Sequence, residues 1–427
     1  MASSLDAPDQ IQIRFLSKQE RYAVPDTPFS VPSNITCEGL NTLVNELRKE
    51  NRRGEEDDEV EFDFLVCQQF LRATLCEHLV EREVSSELVV DVEYVERHPP
   101  PQPHECLMHD DWVSAVEACE NWILTGCYDN TIQIWTSNGK HCLTITGHNG
   151  AVKGVTWLKI IPGLALFASS SQDQTAMVWE WNMENNSVHC AAILKGHERS
   201  LECVAGNKNS EDPLVATGGW DTNIKLWSSS LDSPGDERND HTAAKKMKLS
   251  ESKCRTPKAT LKGHREAVSG VQWIANDELV SSSWDHTVRI WDVDTHTIKQ
   301  EISGNKSIFD ISWSPLSRCL VTASADRHVR LYDPRSTEGS LIKGQYTSHT
   351  AWVQSVGWSS VDEFNFISGG YDNQVKLWDT RSPKAPLFDL TGHEDKVLCC
   401  DWSNPKLMAS GGADCTLRTF RARQSNG

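Results

Sequence analysis

The chain has 427 residues, 38% apolar and 24% charged, which suits a globular protein of two or three domains rather than one. No stretch approaches the roughly 18 uninterrupted apolar residues of a membrane span, and the start MASSLDAPDQIQIRF has neither the basic nor the apolar region of a secretory signal, so the expectation is a protein of the cytosol and nucleus with no membrane partner. The formal charge is −18, of which residues 1–104 supply −11 with 21 acidic against 10 basic side chains; such a balance repels phosphate backbones and disfavours autonomous nucleic-acid binding.

In chain order, residues 1–9 carry no pattern and read as a disordered N-terminus. Residues 10–97 read as a small α+β domain. Ile11, Ile13 and Phe15 alternate as a first strand, and Tyr22 and Val24 are expected in its hairpin partner. Leu40, Leu43, Val44 and Leu47 recur at i, i+3, i+4 and i+7, one face of a helix. After the acidic run GEEDDE, the segments FDFLV, Phe70–Leu71 and VVDVEYV supply further strands. This β-β-α-β-β order resembles a ubiquitin-like β-grasp. The domain does not end in Gly-Gly, which points to recognition rather than conjugation. Residues 98–104, with HPPPQP, read as a stiff linker.

From residue 105 onward one pattern recurs seven times. Each copy places an aromatic six residues after an Asp: Asp129/Trp135, Asp173/Trp179, Asp221/Trp227, Asp285/Trp291, Asp326/Tyr332, Asp372/Trp378 and Asp414/Phe420. Four residues before each Asp stands a hydroxyl, namely Thr125, Ser169, Thr217, Ser281, Thr322, Ser368 and Ser410. Further upstream lie His109, His148, His197, His264, Asn305, His349 and His393. Segments such as NTIQIW and HTVRIW alternate as half-buried strands, with the Asp in the tight turn before them. A buried carboxylate needs partners, so the four residue types belong together as a hydrogen-bonded set. The pattern resembles the structural tetrad of WD repeats. It implies a mainly β chain, a seven-bladed propeller over 105–427 behind the ubiquitin-like domain.

A Ser, His and Asp recurring seven times is architecture, since a catalytic triad needs one constellation. No phosphate-cradling loop or metal-ligand cluster is present, so no catalytic residue and no cofactor is expected. The fourteen cysteines are scattered without a C-x-x-C pair and read as small buried apolar residues of a reducing compartment. Asn305 and Tyr332 in blade five, and Phe420 in blade seven, depart from the pattern; those tetrads are expected to be weaker or water-completed, and Asp414 to matter less than Asp285. Because the chain stops soon after Phe420, HECLM before His109 is expected to supply the outer strand of blade seven. Residues 228–258 lengthen the third repeat, are polar and Ser-rich, and read as a disordered loop. Lys245, Lys246 and Lys248 within it are a candidate nuclear-import signal, a short basic run that is equally a solvated loop.

Taken together, the ubiquitin-like domain, the short linker, the seven repeats, FDFL, SSE-x-x-V-x-V-E-Y at 85–94 and DDWVSAV resemble one family. It is the WD-repeat ribosome-biogenesis subunit that works with pescadillo and the block-of-proliferation protein. The resemblance implies a non-enzymatic scaffold on pre-ribosomal particles of the large subunit, supporting maturation of its ribosomal RNA, in nucleus, nucleolus and nucleoplasm. It also implies docking of the ubiquitin-like domain on the metal-ion-dependent adhesion site of the AAA-type ATPase midasin, where Glu87 is the matching residue that completes the partner's metal site. Hard divalent cations take such a carboxylate readily; on the residues alone Glu87 reads as a solvated turn beside Glu81 and Glu83, and only the resemblance makes it a ligand. A substrate receptor of a ubiquitin-ligase assembly is the alternative reading, and direct RNA contact is left open.

Overall fold

A computed structural model describes residues 10–17, 20–51, 60–82, 84, 88–97, 99–208, 213–229, 254–336 and 341–421, which fall into two units. The chain is mainly β.

The first unit holds a five-stranded mixed sheet. Its strands are β1 (Gln10–Leu16), β2 (Phe29–Pro32), β3 (Phe62–Val66), β4 (Gln69–Phe70) and β5 (Val90–Glu96), in the order β2-β1-β5-β3-β4. β1 and β5 run parallel, with Ile13 opposite Val90 and Phe15 opposite Val92. The helix α1 (Cys37–Asn51) buries Leu40 and Val44 against Ile11, Ile13, Phe15, Phe64, Val92 and Tyr94. A fully buried stripe of this kind holds a short helix that propensity alone would leave marginal.

One local expectation fails here. The hairpin partner of β1 is Phe29–Pro32, while Tyr22 lies in a 3-10 turn at Glu20–Tyr22. Pro25 and Pro28 lie between them, and proline cannot donate to a ladder. A second helix, α2 (Leu75–Glu81), adds to the expected elements, and its capping box is in the sequence. Thr74 Oγ1 accepts from the Glu77 N–H, and the Glu77 carboxylate accepts from the Thr74 N–H at 3.1 Å. Between β3 and β4, Cys67 and Gln68 both sit at positive φ (53° and 61°), which is the geometry of a tight primed hairpin turn without its usual Asn-Gly.

The second unit is seven antiparallel sheets. The first strand of each, starting at Val113, Val152, Leu201, Val268, Ile308, Val353 and Val397, packs on its counterpart in the next sheet, and the seventh packs on the first. The sheets are therefore blades of a β-propeller around a central cavity of about 1090 Å³. Strand β6 (Gln102–Met108) is the outer strand of blade seven, with Leu107 opposite Leu417 and Met108 opposite Thr416. HECLM thus lies where its pattern places it, but the strand begins at Gln102 and takes three residues from the segment read as linker. Pro103 is tolerated because the strand is at the sheet edge.

The long third-repeat segment also differs from its reading. Residues 230–253, with Lys245, Lys246 and Lys248, lie outside the described residues. Its ends are built in: Ser229 is buried, Cys254–Arg255 pairs in parallel with Ile193 and Leu194 as a fifth strand on blade two, and the Lys258 N–H donates to Leu226 C=O at 2.7 Å. All fourteen cysteines are free thiols, yet only Cys127, Cys399 and Cys400 are buried and Cys67, Cys106 and Cys254 are exposed, so the uniform reading as buried apolar residues does not hold.

Candidate functional site

Four blades assemble the complete set. In blade two the Trp179 indole donates to Ser169 Oγ (2.8 Å), whose hydroxyl faces His148 Nε2 (2.7 Å), and His148 Nδ1 donates to Asp173 (2.9 Å). The same chain runs through Trp227, Thr217, His197 and Asp221, through Trp291, Ser281, His264 and Asp285, and through Trp378, Ser368, His349 and Asp372. Each imidazole donates from Nδ1 and accepts at Nε2, the neutral tautomer that the network itself selects.

The Asp does a second job, the one its place in the tight turn implies. The residue after it has left-handed φ in all seven repeats: Asn130, Gln174, Thr222, His286, Arg327, Asn373 and Cys415, between 57° and 71°. None is glycine, so each turn carries strain. The carboxylate offsets it by accepting the N–H two residues on, as from Thr131, Thr175, Asn223, Thr287, His328 and Thr416. Burial alone would raise the Asp285 carboxyl, but hydrogen bonds from His264, Thr287 and the Arg265 N–H overcome it and hold it below the usual range.

The departures are in part those expected. Blade seven keeps His393 on Asp414 (3.0 Å) and on Ser410 (2.8 Å); only the indole bond is missing at Phe420. In blade five Arg330 binds the Asp326 carboxylate, so a guanidinium stands in for the imidazole that Asn305 cannot supply. Blade one, whose residues fit the pattern, departs from it as well. His109 Nδ1 donates to Leu107 C=O (3.3 Å) rather than to Asp129, and the Trp135 indole N–H has no partner. Spacing sets which residues are available, while the turn of one imidazole depends on its surroundings.

Inside the ring, side chains of one blade accept backbone N–H groups of the next. Glu117 takes Trp157 N–H, Gln272 takes Trp313 N–H, Asp310 takes Val356 N–H, Ser355 takes Cys400 N–H and Asp401 takes Ala118 N–H, at 2.7–3.1 Å. These bonds satisfy strand edges that no ladder covers and tie the blades together. Burial pushes the Asp310 carboxyl up to about 6, against hydrogen bonds from Ser355 and two backbone N–H groups. It does the same for Asp401, helped by nearby Glu117.

At one end of the cavity the residue preceding the tetrad Asp donates its N–H to a carbonyl in the turn after the His: Tyr128 to Trp112, Trp220 to Ser200, Trp284 to Ala267 and Tyr371 to Trp352. Aromatic side chains therefore gather at a shared structural position.

Glu87 lies outside the described residues. Of its neighbours, Val80 and Leu88 are each 71% exposed, and Val84 and Val89 are exposed as well. Among the described residues no group of His, Cys, Asp or Glu is arranged to hold a metal ion, and no helix is long and apolar enough to cross a membrane.

Comparison with known proteins places two family patterns on the chain. The NLE (NUC135) domain matches residues 11–79, and the WD domain, G-beta repeat, matches seven times, from 102–136 to 384–421. Proteins called ribosome biogenesis protein WDR12 homolog are similar along nearly the whole length. The one from Aedes aegypti is 53% identical over 414 residues, 97% of this chain and 96% of its own. That from Culex quinquefasciatus is 54% identical over 417 residues, 98% and 96% of the two chains, and that from Anopheles gambiae 51% over 416, 97% and 95%.

Proposed function

This chain belongs to the WDR12 family of ribosome biogenesis proteins, and from that we propose that it is a non-enzymatic scaffold in assembly of the large ribosomal subunit and maturation of its ribosomal RNA. The observation that carries the reading is the end-to-end similarity across both units, since a shared propeller alone hosts many functions. In this reading the propeller holds the block-of-proliferation protein and pescadillo, and the protein works in nucleolus and nucleoplasm. Repeat carboxylates engaged in their own turns, and separate side chains that tie each blade to the next, support a rigid platform rather than a catalyst.

The N-terminal unit is read as ubiquitin-like, a recognition module for midasin. Its support is the order β2-β1-β5-β3-β4 with a central parallel pair and one long helix across the sheet. Glu87 is read as the carboxylate that completes midasin's metal site, and the exposed Val80, Val84, Leu88 and Val89 near it in sequence as apolar surface available to the same contact.

The test is pull-down of the midasin adhesion domain by the full chain, with and without divalent cation. Glu87→Ala removes the ligand, and Glu87→Asp retracts it by about 1.5 Å, a gap metal–oxygen bonds do not tolerate. Both are expected to lose cation-dependent binding, while Glu81→Ala retains it. Undiminished binding by Glu87→Ala, or binding indifferent to chelator, overturns the assignment.

A further inference from the structure

The chain joins its two units in a way that makes one strand carry any load between them. Glu96 ends β5 and Gln102 begins β6, and of the five residues between them three are proline. Fully extended, that connection spans about 20 Å, so it stores at most that much slack before tension on the first unit arrives at Gln102.

The two strands that meet this load are held differently. β5 lies inside its sheet, parallel to β1 and antiparallel to β3, with Val90, Val92 and Tyr94 buried. Pulled along its axis from Glu96 it loads both ladders at once, a shear geometry in which many hydrogen bonds must break together. β6 is an outer strand with a single neighbour, the last strand Thr416–Arg421. Its entry half is poorly fastened. Pro103, opposite Phe420, has no N–H to donate, the register shifts between Arg418 and Phe420, and the Glu105 N–H is taken by the Thr419 hydroxyl oxygen (3.1 Å). Within Gln102–Met108 only Leu107 is buried, packed with Val113 and Leu417 at the seam of blades seven and one. Gln102 pairs with Arg421, so an outward pull at that end loads the pairs one at a time. Other outer strands are as short, Ala259–Lys262 in blade three for one, but there the chain runs on within the propeller at both ends. Only β6 receives the connection from the first unit.

We propose that β6 is a load-sensitive latch. Tension on the first unit detaches it from blade seven, entry half first and Leu107 last, and opens the propeller at the seam of blades seven and one while the first unit stays folded. The latch rests on strand geometry and not on what engages the first unit, so its failure leaves the function proposed above untouched.

The test is single-molecule pulling of the full chain by handles on its two termini, which loads β5 in shear against β1 and unzips β6 from Arg421. The first event expected is a reversible lengthening of about 4 nm, from the seven freed residues plus the length of the strand they leave. It precedes a step of roughly 30 nm from the first unit. Arg418 and Cys106 are direct partners, so Arg418→Cys places two thiols at a separation that a disulfide spans. Its oxidised form is expected to lose the short step and reduction to restore it, with the oxidised native chain as control. Leu107→Ala, which needs no bridge, is expected to open about tenfold faster or more at the same load. Leu261→Ala, at a buried leucine in the outer strand of blade three, is expected to leave that rate unchanged. The long step coming first, a short step that survives the bridge, or equal effects of Leu107→Ala and Leu261→Ala each overturns the latch.

Discussion

Removing Asp285 tests whether the tetrad carboxylate works through its histidine or only through its turn. In the native blade it accepts from His264 Nδ1 (2.9 Å), the Arg265 N–H (2.9 Å), the Thr287 N–H (3.0 Å) and the Thr287 hydroxyl (2.7 Å). In Asp285→Ala the Arg265 N–H turns to water, but the His264 side chain is 1% exposed and its Nδ1 donor is left only the longer contact to the Thr287 hydroxyl, at 3.2 Å. A weakened buried donor plus lost turn bonds costs about 2–3 kcal/mol. Asp129 in blade one accepts only from Thr131, so Asp129→Ala is expected to cost about 1 kcal/mol. Asp414 has the same set of donors as Asp285 and should match it, contrary to the expectation drawn from Phe420. At about 2.1 cal/mol/K per residue, a propeller of roughly 320 residues loses about 1.5 °C per kcal/mol, so the expected shifts are about 3–5 °C for Asp285→Ala and Asp414→Ala and about 1–2 °C for Asp129→Ala. All sixteen tryptophans lie after residue 104, so thermal melts followed by tryptophan fluorescence report the propeller without the N-terminal unit. Equal losses at Asp129 and Asp285 would refute the role assigned to the histidine.

Asp310 and Asp401, raised to about 6, contribute stability that is present below the unfolded carboxyl range and is lost as pH rises through 6, so the melting temperature is expected to fall between pH 5 and 7.5 and to fall less in Asp401→Asn. The tetrad carboxyls have the opposite sign: their contribution is present above about pH 4 and drops away below it, so melts down to pH 3 should show a maximum at mildly acid pH. Thr222, β-branched at φ 66°, is strained, and Thr222→Gly is expected to stabilise by about 0.5 kcal/mol in urea titration followed by fluorescence. Leu107→Ala in the closing strand, where Leu107 packs with Val113 and Leu417, is expected to cost about 2–4 kcal/mol in the same assay. Replacing 230–253 by a short Gly-Ser linker should leave the melt unchanged and move a tagged protein toward the cytoplasm, whereas a deletion through Arg255 also removes the fifth strand of blade two and should lower the melt.

The sequence by itself determined the repeat, because a turn carboxylate, a strand hydroxyl and an indole at fixed short offsets are local chemistry repeated seven times. It also placed the closing strand, since a last repeat short of one strand must find it elsewhere, and it placed α1 through its apolar stripe. The N-terminal sheet order came only with tertiary structure, because β1 and β5 meet across about 75 residues and no local spacing encodes a parallel pair. So did the second strand, displaced by prolines, and the pairing of Cys254–Arg255 with blade two. Blade one fits the tetrad pattern and breaks it; blade five lacks the His and recruits Arg330, four residues beyond the Asp. In both cases a hydrogen bond depends on where an imidazole or guanidinium points, which packing decides and spacing does not. The blade ties, and pairs between blades at the cavity mouth such as Lys153–Glu202 and Trp220–Trp284, are likewise silent in the sequence, because each joins residues some forty or more positions apart that become neighbours only when the ring closes.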